Sequence, residues 1–161
     1  MPFVVDDRVD VALALDADGV HVGQSDLPPA MVRELIGPEK ILGVTLDLAR
    51  PETIAEAVLP PVNADYLGSN AVFPTATKDT QAYGLEGLAQ AKALIAAAAK
   101  SVGKEPIPLV AIGGVSAANG AACMDAGAEG LAVVSAILGA ESPKDASAEL
   151  AAIVDAAAGP R

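Results

Sequence analysis

The sequence predicts an α/β fold in which parallel strands alternate with helices, six βα units in all. Two patterns and one feature of the composition carry that reading. Short β-branched runs alternate with Ala- and Leu-rich amphipathic runs along the whole chain, as βα repeats do. The strand runs are continuously apolar, as expected of strands covered on both faces. Only 2% of the residues are aromatic while 52% are hydrophobic. The core is therefore built from Val, Ile, Leu and Ala, which suits helices laid close on a parallel sheet.

Phe3-Val4-Val5 is predicted as the first strand, followed by a helix from Val9 to Leu15. Gly19 to Gly23 forms the second strand, and Pro28 to Ile36 a helix with Pro28 in its first turn, where its missing N–H is not needed. Lys40 to Thr45 is the third strand, with a helix from Pro51 to Val58. Asp65 to Gly68 is the fourth strand; a long loop, Ser69 to Lys78, separates it from a helix over Leu85 to Lys100 with near-continuous Ala on one side. Pro108 to Ile112 and Gly130 to Val134 are the last two strands, each followed by a helix, Ala117 to Asp125 and Pro143 to Ala157.

No linker composition interrupts this alternation, so residues 1–161 are expected to form a single domain. At roughly 25 residues per unit the chain is two units short of a closed eight-unit barrel, which takes ~200–250 residues. Either the sheet is open and doubly wound, or it is an incomplete (β/α)8 barrel. In both cases ligands bind at the carboxyl ends of the strands, where the polar and glycine residues of this chain cluster.

Composition excludes several functions. Ten Lys and Arg against 21 Asp and Glu leave a formal charge of −11, which repels nucleic acid and anionic lipid. The hydrophobic fraction excludes a disordered chain. A lone cysteine, Cys123, excludes an internal disulfide and a cysteine-rich zinc site; its default role on an apolar helical face is that of a small hydrophobe. No apolar run is long enough to span a membrane, and Met1 to Arg8 does not have the form of a signal peptide. A cytoplasmic protein is expected, or a plastid one if the parent comes from a plant or alga.

Three constellations carry chemistry. Asp7 ends the first strand and Asp26 follows the second, so adjacent parallel strands deliver two carboxylates to one rim. Hard oxygen ligands of this kind suit Mg²⁺, which usually keeps waters or substrate phosphates as further ligands; the alternative is that both aspartates are helix N-caps. Thr75, Thr77 and Lys78 place two hydroxyls and an ammonium within four residues, a set that suits a phosphate or an ordinary polar surface loop. Gly113-Gly114 closes the fifth strand and opens a helix, freeing backbone N–H groups for an anion, with Ser135 at the end of the next strand; tight βα turns also use glycine for geometry alone. His21, the only histidine, is expected as a packed and hydrogen-bonded strand residue.

With these residues in place, the chain resembles thiamine-phosphate synthases over nearly its whole length. The matching blocks are Asp7 to Ala12, Asp18 to Pro28 with its His21-Val22-Gly23-Gln24-Ser25-Asp26 segment, Leu42 to Thr45, Ala64 to Gly68, the Val72 to Lys78 loop with its Pro74-Thr75-Ala76-Thr77-Lys78 run, Ala111 to Val115 and Ala126 to Ile137. The resemblance implies a (β/α)8 barrel enzyme that joins a hydroxymethylpyrimidine diphosphate to a thiazole phosphate and releases pyrophosphate. It implies that Asp7 and Asp26 hold Mg²⁺ on the diphosphate and that Lys78 and Thr45 contact the pyrimidine diphosphate. Thr75, Ala76, Thr77, Gly114, Val134 and Ser135 would cradle the thiazole phosphate.

Two departures from the family stand out. Asp6 occupies a position where the family usually has Asn, which adds an anion beside the diphosphate and removes an amide donor. The family's first two βα units are missing, and with them a Gln-x-Arg-x-Lys strand that clamps the diphosphate. Met1 is therefore expected to be an internal start, or the chain a part of a longer enzyme, whether or not fused to another thiamine-pathway domain. A thiazole tautomerase of the same superfamily is the nearest enzymatic rival; a non-catalytic phosphate-binding remnant is the rival from another class. The expected partners are phosphorylated small molecules, together with self-association through sheet edges left open by the missing strands.

Overall fold

A computed structural model describes residues 1–75 and 81–159. The chain divides into two compact units, Met1–Gly68 with Ala93–Ile107, and Ser69–Lys92 with Pro108–Arg161. Its strands are β1 (Val4–Asp6), β2 (Gly19–Val22), β3 (Ile41–Thr45), β4 (Tyr66–Ala71), β5 (Leu109–Ile112) and β6 (Gly130–Ala132). Between and after them run α1 (Val9–Ala14), α2 (Pro29–Ile36), α3 (Glu52–Val58), α4 (Gly84–Ser101), α5 (Ala117–Asp125), α6 (Ser135–Leu138) and α7 (Pro143–Ala158). The division between the units falls inside β4 and α4.

The strand order is β1-β2-β3-β4-β5-β6. It follows the sequence without a reversal, whereas a doubly wound sheet needs a point where the order switches. The fold is therefore that of an incomplete (β/α)8 barrel, six units of the eight.

In the first unit, β1, β2, β3 and β4 pair in parallel, with Val20 opposite Leu42, Val22 opposite Val44 and Val44 opposite Leu67. These residues are almost wholly buried, as are Val9 and Ala12 of α1, Val32 and Ile36 of α2, and Ile54, Ala57 and Val58 of α3. Because side chains alternate along a strand, the intervening row of β2, β3 and β4 points the other way, and that row carries His21, Gly43 and Tyr66. In the second unit, β5 and β6 pair in parallel with Ile112 opposite Ala132. Cys123 of α5 is buried, and burial pushes its thiol pKa up, so it acts as core, as expected.

The predicted strands and helices are all present, with four local differences. β4 extends to Ala71, three residues beyond its predicted end. Asn70 takes a left-handed backbone with φ 63°, a conformation Asn tolerates, and Oδ1 of its side chain accepts from the Ala71 amide at 2.8 Å. The first three residues of the predicted loop after Gly68 are therefore strand. α6 was not expected; it is a single turn, too short for any periodic pattern to register. β6 ends at Ala132 rather than Val134. Pro28 caps α2 from outside and Pro29 takes the first turn.

At the amino end of the strands of the first unit, one side chain ties several segments together. Arg33 donates through Nε to Val62 O (3.0 Å), through Nη1 to Gly37 O (2.9 Å) and Lys40 O (2.7 Å), and through Nη2 to Asn63 O (3.0 Å) and Asp65 Oδ2 (2.8 Å). Asp65 Oδ2 also accepts from the Leu42 amide at 2.8 Å, so the end of α2, the start of β3 and the turn into β4 share one polar knot. Arg33 is 11% exposed, so its removal strands carbonyls that water reaches poorly. Substituting Arg33→Met is expected to lower unfolding free energy by about 3 kcal/mol in urea titrations; a loss below about 1 kcal/mol would show that water replaces it.

Candidate functional site

The carboxyl ends of β1, β2 and β3 bring four sequence-predicted residues of the first unit into one neighbourhood. Asp6 ends β1 opposite His21, and Asp7 follows with its amide donating to His21 O at 2.8 Å. Asp7 has φ 62°, so the chain bends sharply as it leaves the ladder. Asp26 Oδ2 accepts from the Gly23 amide at 2.7 Å. Neither aspartate caps a helix: the cap positions of α1 and α2 are Arg8 and Pro28. Instead both are fastened to the end of β2, Asp7 at His21 and Asp26 at Gly23, anchor residues about 7 Å apart along the strand.

Thr45, the last residue of β3, completes this group. Its Oγ1 lies 2.8 Å from His21 Nε2, and His21 Nδ1 lies 3.0 Å from the Tyr66 hydroxyl. A neutral imidazole donates through one nitrogen and accepts at the other, so His21 orders both hydroxyls. The two rings stack, with centroids 5.4 Å apart and planes at 29°. They meet across Gly43, which lies between them in the register; a Cβ there would strike both His21 and Tyr66. Burial, and secondarily the Asp6 charge, raise the Tyr66 pKa, which keeps the phenol neutral and able to donate.

In the second unit, the turn Gly113-Gly114 lies against the segment after β4. Val72 and Phe73 donate to Ile112 O (2.9 Å) and Gly113 O (3.0 Å), extending the ladder past the strands. Both glycines have positive φ, 82° and 64°. A Cβ on Gly113 would come within 2.6 Å of Ala71 Cα, and one on Gly114 within 2.7 Å of Pro74 O, so glycine is required twice over. Gly114 is thereby brought beside Pro74, the residue before Thr75. Asn119 fixes the turn: its Oδ1 accepts from the Ser116 amide (2.8 Å) and its Nδ2 donates to Gly114 O (3.0 Å). Val134 and Ser135 lie just beyond β6 and are exposed; Gly114 and Val134 each stand two residues past the paired Ile112 and Ala132. Ala76, Thr77 and Lys78 lie outside the described residues.

Tyr66, Gly43 and Asn119 were not singled out from the sequence. A signal for the first existed, since the chain holds only two tyrosines and one histidine and parallel register sets this tyrosine in the histidine's row. For Asn119, Ser116 three residues earlier was a visible capping box in which Asn stands in for the usual acid.

The donor chemistry suits a hard divalent cation shared with a substrate. Asp7 and Asp26 are carboxylates on one rim, and no described residue bonds Asp26 Oδ1. Among the described residues no group of three or more His, Cys, Asp and Glu is placed to hold a metal. Two protein carboxylates with the remaining positions left to water and phosphate oxygens is the usual arrangement for Mg²⁺.

Comparison with known proteins converges on one family. A family model for thiamine monophosphate synthase matches residues 1–137. Thiamine-phosphate synthases of Vibrio campbellii and Methanobrevibacter smithii are 45% and 44% identical, over 91% and 93% of this chain and 66% of each relative. The solved structure of thiamine phosphate pyrophosphorylase from Pyrococcus furiosus superposes with a TM-score of 0.79 at 41% identity, covering 98% of this chain and 69% of that one. The chain thus spans about two thirds of the length of the curated relatives it matches. None of the described helices is long and apolar enough to cross a membrane.

The Tyr66 shift has a measurable consequence. Its folded pKa is raised, so above about pH 10, the ordinary tyrosine value, the folded chain keeps a proton that the unfolded chain has lost. The associated stability is present below that pH and disappears as pH rises through the folded value. Spectrophotometric titration at alkaline pH should show a late phenolate component that Tyr66→Phe removes; its persistence in the variant would contradict the buried placement.

Proposed function

The chain belongs to the thiamine monophosphate synthase family, and from that premise we propose that it carries the substrate site of a cytoplasmic thiamine-phosphate synthase, joining a hydroxymethylpyrimidine diphosphate to a thiazole phosphate. The observation that carries the proposal is the pair of aspartates anchored two residues apart at the end of β2, Asp7 by its backbone amide and Asp26 by its carboxylate. A diphosphate is the substrate class that needs a hard cation at such a rim.

Asp7 and Asp26 would hold Mg²⁺; when bound, it neutralises the charge that builds on the diphosphate as the carbon–oxygen bond breaks. Lys78 adds a cation to the same leaving group. Thr45 presents its hydroxyl toward the pyrimidine diphosphate, and His21 fixes that hydroxyl's direction at 2.8 Å. In a chain of net charge −11, those cations are what make two anionic substrates bindable. The second unit receives the other substrate. The thiazole phosphate would be held by Gly114, which has no side chain in the way, with Thr75, Ala76, Thr77, Val134 and Ser135. The thiazole nitrogen forms the new carbon–nitrogen bond as the carbon–oxygen bond to the diphosphate breaks and pyrophosphate leaves.

Purified chain given both substrates and Mg²⁺ should form thiamine phosphate, read as thiochrome fluorescence, and EDTA should abolish it. Asp7→Asn and Asp26→Asn should each lower kcat/KM by about 100-fold. Turnover indifferent to EDTA and to both substitutions would overturn the metal assignment. A folded chain that binds thiazole phosphate but forms no product would instead be a phosphate-binding homologue.

A further inference from the structure

We infer that Arg50 is a positioning residue that locks the loop carrying Asp26 to the end of β3 through the side chain of Gln24. The inference deepens the proposed function and rests on it for the ligand's identity.

Gln24 uses both ends of its amide. Its Nε2 donates to Thr45 O, and its Oε1 accepts from Arg50 Nη2 at 2.7 Å. Rotating the amide would set NH₂ against a guanidinium and oxygen against a carbonyl, so its orientation is determined. Arg50 is held in turn, its Nε donating to Asp47 Oδ2 at 2.9 Å. Asp47 is fixed by its own turn, with Oδ1 accepting from the Ala49 amide (3.0 Å) and its carbonyl from the Arg50 amide (3.0 Å). The chain of bonds therefore runs from a rigid turn after β3 to the loop after β2, two residues from Asp26.

Packing does not do this work. Gln24, Asp26, Thr45, Arg50 and Thr53 border a cavity of about 410 Å³ floored by Val44 and Ala57, so the loop lies over open space. Unlike Asp7, which continues the β1–β2 ladder through its backbone, the Gln24–Asp26 segment has only side-chain bonds to hold it to β3. The Arg50 charge is already compensated by Asp47, which argues for a structural strut rather than a phosphate-binding cation.

Charge and positioning predict opposite signs, which makes the test sharp. Asp47→Asn releases Arg50 and removes a negative charge, so a coulombic role for Arg50 would tighten binding of a polyanion and a positioning role would weaken it. Calorimetric titration of the full chain with inorganic pyrophosphate and Mg²⁺ should show roughly 5-fold weaker binding for Asp47→Asn and for Gln24→Ala. Arg50→Lys, which keeps the charge and loses the fork, should weaken it likewise. Amide hydrogen exchange, which needs no ligand, should quicken severalfold at residues 23–26 in the same variants and stay unchanged in α7. Tighter or unaltered pyrophosphate binding in Asp47→Asn, or unaltered exchange at 23–26, would overturn the lock. Failure of the unsubstituted chain to bind pyrophosphate while the exchange effect persists would overturn the functional reading and leave the lock standing.

Discussion

The parallel register of β1 to β4 is the constraint on which the first unit depends. It sets Asp6, His21, Gly43 and Tyr66 in one row and turns Val20, Leu42, Val44 and Leu67 into the core. Shifting a strand by one residue would exchange the two faces, putting a histidine and a tyrosine where the helices pack. Gly43 is what lets the polar row close up. Because it has no side chain, two rings on strands that are not neighbours come within stacking distance, and one imidazole orders two hydroxyls.

The rest of the site follows from how strands end. Within each unit the parallel strands end on the same side, so the βα loops of that unit deliver their residues to one rim. Backbone geometry then decides which way they turn. Asp7 leaves β1 in a left-handed conformation, and Gly113 and Gly114 leave β5 with positive φ while pressed against the end of β4. The opposite end of the first unit shows the complementary strategy: Arg33 spends all its donors on backbone carbonyls and Asp65, leaving a rigid knot where no chemistry is proposed.

Much of this was legible in the sequence because the signals were local. Short runs rich in β-branched and other apolar residues marked the strands, and Ala-rich periodic runs marked the helices. Asp7, Asp26 and Thr45 could be placed at strand ends because parallel topology follows from alternation. Signals failed where the deciding contact is remote in sequence or set by the backbone. The extension of β4 depends on Asn70 adopting φ 63° and on the Ile112 amide bonding to Ser69 Oγ at 3.2 Å. Tyr66 joins the His21 group from 45 residues away. The alternative in which Asp26 caps a helix fails because its carboxylate turns back to Gly23, leaving two prolines to begin α2. Arg50 gave no sequence signal at all, since its role exists only once the β2 and β3 loops are neighbours.

A substrate-bridged cation at the Asp7–Asp26 rim is the central claim, and Mn²⁺ in place of Mg²⁺ makes it visible. Paramagnetic resonance follows the free Mn²⁺ signal as the full chain is added with and without inorganic pyrophosphate. With only Asp7 and Asp26 proposed as protein ligands, the signal should fall markedly more with chain and pyrophosphate together than with either alone, and Asp7→Asn should abolish that excess. Equal capture of Mn²⁺ by the chain without pyrophosphate, or an undiminished ternary complex in Asp7→Asn, would contradict it.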